Sequence, residues 1–264
     1  MGMATHRVGN VDVGYGLEGS GDPVVLVHGT SSSRLSWELQ APALSAKYTL
    51  ITPEFPGSGE TVDPDPTRPI TVDELATQAI AVADACGADR FHVAGWSLGA
   101  VVAAAISAAV PSRVRSAVLV NGWVTTDARM RFTFDFWNRL LAVDPELFAR
   151  YAFADGLTAG AHEAFTNEGI EALVGPMALG FAPGTNRQVD LDRVVDIADR
   201  LGAITAPTLV IGGIEDRWVD IVHSRQLAND LKGAKLVELA CGHLVPTEQA
   251  ETLTNLMLEH FGAH

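Results

Sequence analysis

The chain has 264 residues, 47% of them hydrophobic, with a mean hydropathy of +0.17 and a formal charge of −14. That length and composition suit one large α/β domain with a full core, with or without a small insertion, and exclude a disordered chain. The acidity, without any Lys/Arg run, argues against nucleic-acid and anionic-membrane partners and is read as a solubility feature.

In chain order, residues 1–13 hold no apolar leader core, so no signal peptide is expected. Residues 8–17 alternate in places, hold Gly9-Asn10 and are followed by Gly19-Ser20-Gly21-Asp22-Pro23, which predicts an opening strand pair with turns. Residues 24–27 are a continuous β-branched apolar run, the pattern of a strand buried on both faces of a parallel sheet. Residues 48–52 form a similar, shorter run. Thr71-Val72-Asp73-Glu74 is a capping box, opening a helix with Leu75, Ala79, Ile80, Val82 and Ala83 on its apolar face and ending before Gly87. Residues 91–94 predict another buried strand, and residues 98–109 a small-residue helix stopped by Pro111. Strands follow at 114–120, 208–211 and 235–239, then a closing helix over 247–261. Strands alternating with helices imply a parallel sheet wound by right-handed crossovers.

Residues 121–206 break this rhythm with helical patterns and no good strand. The segment holds Phe132, Phe134, Phe136, Trp137, Phe148, Tyr151, Phe153, Phe165 and Phe181. Several must form a core of their own. A helical cap over the sheet, residues 125–200, is expected to place others above a site, leaving residues 1–124 and 201–264 as the core domain. The longest apolar stretch, residues 100–110, is too short to span a bilayer. Cys86 and Cys241 fit no metal spacing and no disulfide framework, so a reducing cytoplasm is expected. Abundant Ala and a strong excess of Arg over Lys suggest a bacterial origin.

The chemistry centres on Gly95-Trp96-Ser97-Leu98-Gly99, between a predicted strand and a predicted helix. This is the pattern of a nucleophile elbow, a strained turn that presents a serine hydroxyl at the end of a sheet; its glycines avoid collisions with strand and helix. A serine hydroxyl needs a base and a group that orients the base. Glu215-Asp216 follows the strand that ends in Gly212-Gly213. His243 follows the last strand through Ala240-Cys241-Gly242. Both loops lie at carboxyl ends of strands, where open α/β sheets bind ligands. Ser97, Asp216 and His243 are therefore the candidate nucleophile, orienting acid and base.

Competitors exist. Asp220 opens the following helix and reads as a cap; Asp127 is a less favoured acid; Asn121 cannot supply charge. His28 reads as structural, bonding loop backbone. His92 lies in a strand and reads as packed. His223, His260 and His264 read as surface or terminal. Cys241 reads as a small buried hydrophobe. Candidate pocket residues are His28, Trp96, Trp123, Phe136 and Trp137, although packing against the sheet also explains Trp96.

Four motifs in order, His28-Gly29-Thr30, Pro56-Gly57-Ser58-Gly59, the Ser97 elbow, and the Asp216 and His243 loops, give the chain its resemblance to the α/β-hydrolase superfamily. It resembles the serine-nucleophile, esterase/lipase-like branch with a helical cap, over roughly residues 11–261. The fold this implies is an α/β-hydrolase fold, a mostly parallel central sheet flanked by helices. The resemblance also implies an oxyanion hole from the backbone N–H groups of Leu98 and Thr30. Glu54 and Thr61 stand where the superfamily commonly has Asp and Ser, a departure expected to affect loop stability. Serine at the elbow argues against haloalkane dehalogenase and epoxide hydrolase chemistry, which uses aspartate there.

The expected reaction is two-step hydrolysis of a small-to-medium apolar acyl substrate, an ester, thioester or relative. No cofactor and no metal are called for. Arg129, Arg131, Arg139 and Arg150 are equally explained as receivers of an anionic tail or as solvated helix faces. The same triad in relatives supports C–C bond hydrolysis, lyase, haloperoxidase or acyl-transfer chemistry, the alternative reading. A ligand receptor that kept the pocket is a third.

Overall fold

The computed structural model describes residues 2–181 and 183–264. Eight strands form one sheet in the order β1-β2-β4-β3-β5-β6-β7-β8. The expected opening pair forms, but its first strand, β1 (Gly2–Val8), lies ahead of residues 8–17, which belong mostly to β2 (Val11–Gly19); the two are antiparallel, and β2 also runs antiparallel to β4 (Tyr48–Pro53). Every later pairing is parallel: β4 with β3 (Asp22–Val27), then β5 (Phe91–Trp96), β6 (Val114–Val120), β7 (Thr208–Gly213) and β8 (Lys235–Leu239). All six residues of β5 and of β7 are buried, which is why these segments read as unbroken apolar runs. β8 closes the sheet at its edge, and Lys235, Leu236 and Glu238 are exposed there.

Each face of the sheet carries its own core. α2 (Val72–Ala85) and α3 (Leu98–Ala109) cover one face, burying Leu75, Val82, Val102 and Ile106 against Val25, Val93 and Leu119. On the other, α1 (Ala41–Ser45) and the closing helix Ala250–Gly262 bury Leu44, Leu253, Met257 and Phe261 against Leu26, Ala94 and Ile211. α2 begins at Thr71, whose hydroxyl accepts from Glu74 N–H at 3.2 Å. The single closing helix expected over 247–261 is divided into a short turn at Val245–Glu248 and the helix Ala250–Gly262. Glu248 is the reason: its carboxylate accepts from Gly242 N–H and from the Thr158 hydroxyl, so it belongs to the site loops.

The chain passes from β3 leftward to β4 and later from β5 rightward to β6, so the loops after β3 and β5 diverge. A crevice opens at such a switch point, at the carboxyl ends of the strands. Above it lies the insertion between β6 and β7. It runs through α4 (Ala128–Val143), α5 (Pro145–Gly156), α6 (Ala159–Phe165), α7 (Asn167–Leu179) and α8 (Asn186–Asp192). Side-chain oxygens of Asp127, Asp144, Thr158 and Thr166 cap the first four helices. An isolated bridge between Thr125 and Asp196 joins the two ends of the insertion.

Candidate active site

The elbow is built by close backbone approach. A Cβ on Gly95 would lie 2.0 Å from Gly99 O, and one on Gly99 would lie 2.2 Å from Val27 O. No larger residue fits either position without moving the strand or the helix. Between them Ser97 adopts φ +59° and ψ −124°, a conformation that side chains rarely take. Strain of this kind costs about 1–3 kcal/mol and is held here by the packed turn and by Ser97 N–H donating to Val120 O at 2.8 Å. Ser97 is thereby placed at the N-terminus of α3, the positive end of the helix dipole.

Ser97 Oγ lies 2.9 Å from Nε2 of His243, and His243 Nδ1 lies 2.6 Å from Oδ2 of Asp216. An ionised carboxylate only accepts, so Nδ1 carries the proton and Nε2 is free to accept the serine hydroxyl. The other Asp216 oxygen accepts from the backbone N–H groups of Trp218 at 2.8 Å and Val219 at 2.9 Å. His243 is fixed as firmly: its carbonyl accepts from Trp96 Nε1 and from Asn121 Nδ2, and its N–H donates to Gly156 O at the end of α5. Asn121, at φ +48°, also accepts from Gly213 N–H and so ties the loops after β6, β7 and β8 together. The structure thus brings Ser97, His243 and Asp216 together. It places the competing carboxylates elsewhere: Asp220 caps Ile221–Asp230, and Asp127 caps α4 and meets His223 Nε2 at 3.2 Å.

Leu98 N–H is the first of α3 and has no partner within the helix. Thr30 stands across the cleft on the loop after β3. Two residues of α8, one turn apart, hold that loop. The Thr30 hydroxyl donates to Asp192 Oδ2 at 2.7 Å, and Ser31 N–H donates to Gln188 Oε1 at 2.9 Å. Asp192 is 1% exposed, and burial raises its carboxyl well above the ordinary carboxylate range. This clamp has no motif. Glu54 steadies the same region, accepting from Arg34 and from Glu60 N–H, while the Thr61 hydroxyl donates to Glu54 O. Both departures from the superfamily pattern therefore act in loop structure.

A cleft of about 360 Å³ opens over Ser97, between the loop of residues 30–39 and the insertion. Trp96 and Trp137 line it, as expected. Three other expected pocket residues do not. His28 is fully buried; its Nε2 accepts from Phe55 N–H, its Nδ1 lies 2.7 Å from Gly29 O, and burial pulls its pKa down to about 4. Trp123 is buried against Phe134 and donates to the Thr126 hydroxyl. Phe136 is half exposed and packs on Tyr151 on the outer side of α4. The residues that do line the cleft from the insertion include Phe148, Phe153, Leu173 and Met177. Trp218 is a further wall residue, its ring 4.7 Å from both His243 and Trp137. Its position two residues after Asp216 was the available signal.

His223 and His260, expected at the surface, are buried, the first against Asp127 and the second against Pro207 O. Cys241 is buried as expected, and burial raises its thiol to about 12. His92 is buried beside Ser116 in β5. A larger groove, about 590 Å³ over Asn138, Leu141 and Phe181, contains none of the candidate chemistry. Among the described residues no group of three His, Cys, Asp or Glu side chains could hold a metal, and no helix is long and apolar enough to cross a membrane.

Residues 24–255 match the alpha/beta hydrolase family, and the chain belongs to it. The chain is 32% identical over 254 residues to pyrrolizixenacetamide deacetylase of Xenorhabdus hominickii, covering 95% of each. It is also 32% identical over 244 residues to the putative carbamate hydrolase RutD of Azorhizobium caulinodans, covering 89% of this chain and 88% of the relative. Among solved structures, a hydrolase from Pseudomonas aeruginosa superposes with a TM-score of 0.88 at 22% identity, covering 98% of both chains.

Proposed function

We propose that this member of the alpha/beta hydrolase family is a serine hydrolase that cleaves an acyl bond through an acyl-enzyme, with Ser97 as nucleophile, His243 as base and Asp216 as orienting acid. The carrying observation is the continuous line of hydrogen bonds Ser97–His243–Asp216 on the floor of a cleft. Ser97 Oγ attacks the acyl carbon while His243 Nε2 takes its proton, and Asp216 stabilises the imidazolium so formed. The N–H groups of Leu98 and Thr30 receive the oxyanion. One such donor is typically worth about 3 kcal/mol in the transition state. His243 then delivers the proton to the leaving alcohol, thiol or amine, and the acyl group stays on Ser97. Water, deprotonated by the same nitrogen, releases the acid. Asp192 and Gln188 are positioning residues, acting through the Thr30-Ser31 turn.

Residues 125–200 serve as a cap over the core of residues 1–124 and 201–264. The aromatic and aliphatic wall that α4, α5 and α7 present to the cleft supports a small-to-medium apolar acyl or aromatic group. The names of the two relatives, a deacetylase and a putative carbamate hydrolase, favour acyl groups on nitrogen alongside esters.

The test is turnover of p-nitrophenyl esters from acetyl to dodecanoyl, with p-nitroacetanilide as the amide counterpart, by wild type and Ser97→Ala. Serine-dependent turnover with a chain-length optimum is expected. Turnover that survives Ser97→Ala would sink the mechanism. Silence from a folded wild type across the series would favour lyase or receptor roles for the same cleft.

A further inference from the structure

Charge in and around the cleft is one-sided. Among the described residues its lining contains no Lys or Arg, and apart from His243 its one ionisable side chain is Glu38. Glu38 is exposed where the loop of residues 30–39 meets solvent, and among the described residues its carboxylate has no ion pair or hydrogen bond. The nearest guanidinium in sequence, Arg34, is turned away to the buried Glu54 at 2.9 Å.

The four insertion arginines weighed as receivers of an anionic tail are committed as well. Arg129 donates to Arg217 O and Arg131 to Thr126 O; Arg139 pairs with Asp135, and Arg150 with Glu146 and Glu171. None of the four lines the cleft, so an anionic tail finds no receiver there. The loop wall is otherwise hydroxyl-rich.

We propose that this cleft selects substrates by charge: neutral or cationic acyl compounds are accepted, those carrying a carboxylate or other anion are rejected, and Glu38 is the specificity-determining residue at the mouth. The proposal rests on the serine-hydrolase reading above. Rejection operates wherever the anion sits. Against the apolar wall it loses hydration with no compensating partner. At the mouth it meets Glu38 and the field of a chain with formal charge −14. A cation there finds an unpaired carboxylate.

Three esters of one shape test this, all bearing the acyl chain preferred in the p-nitrophenyl series. Their leaving groups are phenol, 3-hydroxybenzoate and 3-hydroxyphenyltrimethylammonium. Each kcat/KM is normalised to the ester's rate of alkaline hydrolysis and read at low and high salt. The cation-to-anion ratio is expected to be at least about tenfold at low salt and to shrink as salt screens the field. Glu38→Gln lowers the ratio and Glu38→Arg reverses it. Hydrolysis of the anionic ester as fast as the neutral one, or a ratio indifferent to both Glu38 variants, overturns the proposal. Ser97→Ala separates the two levels. Turnover of the neutral ester that persists in Ser97→Ala removes the underlying reaction, whereas serine-dependent turnover without charge preference removes the selectivity alone.

Discussion

The two sides of the cleft are built on different terms. On the sheet side, Ser97, Asp216 and His243 stand on turns at the ends of β5, β7 and β8, held by backbone contacts so close that Gly95 and Gly99 admit no Cβ. On the insertion side, helices pack through aromatic rings and leave large apolar residues in solvent: Leu179 is 90% exposed, Phe132 79% and Val143 76%. Reacting atoms must be held to fractions of an ångström, whereas a wall that selects substrate shape tolerates looser packing. On the proposed reading, the scaffold carries the chemistry and the insertion the apolar wall that selects shape, while Glu38 on the scaffold loop of residues 30–39 selects charge. The two meet where His243 N–H reaches Gly156 O and where α8 grips Thr30 and Ser31.

The sharpest break in this comparison is at the nucleophile. Ser97→Ala is expected to lower kcat by about 10⁴-fold or more while leaving the thermal melt nearly unchanged, since only one hydroxyl is lost. Asp216→Asn should follow, with a loss of about 10³–10⁴-fold, because an amide holds the histidine in the wrong tautomer. Asp220→Asn serves as its control and keeps wild-type kcat; the reverse pattern would identify the wrong acid.

The scaffold also predicts a pH dependence of stability. His28 is neutral in the fold because burial lowers its pKa to about 4, against 6.5 in the unfolded chain. As pH falls from 6.5 toward 4 the unfolded state binds a proton that the folded state refuses, so stability falls through that window. The loss approaches about 3 kcal/mol. His92, lowered to about 4 chiefly by burial, acts in the same direction. Urea midpoints at pH 7, 6 and 5 check this, and a midpoint unchanged over that range contradicts it.

At the junction, Asp192→Ala is expected to reduce kcat about tenfold with little change in KM, because it loosens an oxyanion donor and leaves substrate contacts in place. Asp192→Asn keeps an acceptor for the Thr30 hydroxyl and should recover most of the rate. A merely structural role would lower the melt of the alanine variant without this recovery of kcat. On the outer insertion, Leu179→Ser should change stability by no more than about 0.5 kcal/mol and leave turnover alone. A large effect there would mean that the helix buries this face against something.

What could be read from the residues divides along the same line. Each scaffold motif is local: a short run whose glycines or buried strand dictate one geometry. Ser97, Asp216 and His243 are therefore legible in the sequence as candidates. The cleft walls depend on how helices from distant segments lie over the sheet. Even so, part of this was visible in helical periodicity. Met130, Phe134 and Trp137 share the buried face of α4, while Phe136, about 100° further round from its neighbours, points out. Trp123 was misassigned for a different reason: its indole N–H is satisfied by Thr126 inside the core, a contact no spacing announces. The α8 clamp was invisible because Gln188 and Asp192 lie 157 and 162 residues from the turn they hold.

The central claim is that Ser97 is the nucleophile. The most direct measurement is intact-protein and peptide mass spectrometry after treatment with a fluorophosphonate, alongside residual activity. The account predicts one adduct per chain, on the peptide containing Ser97, formed in step with loss of turnover and abolished in Ser97→Ala and strongly slowed in His243→Ala. Stoichiometric labelling at another residue, or full turnover in a protein fully labelled at Ser97, would contradict it.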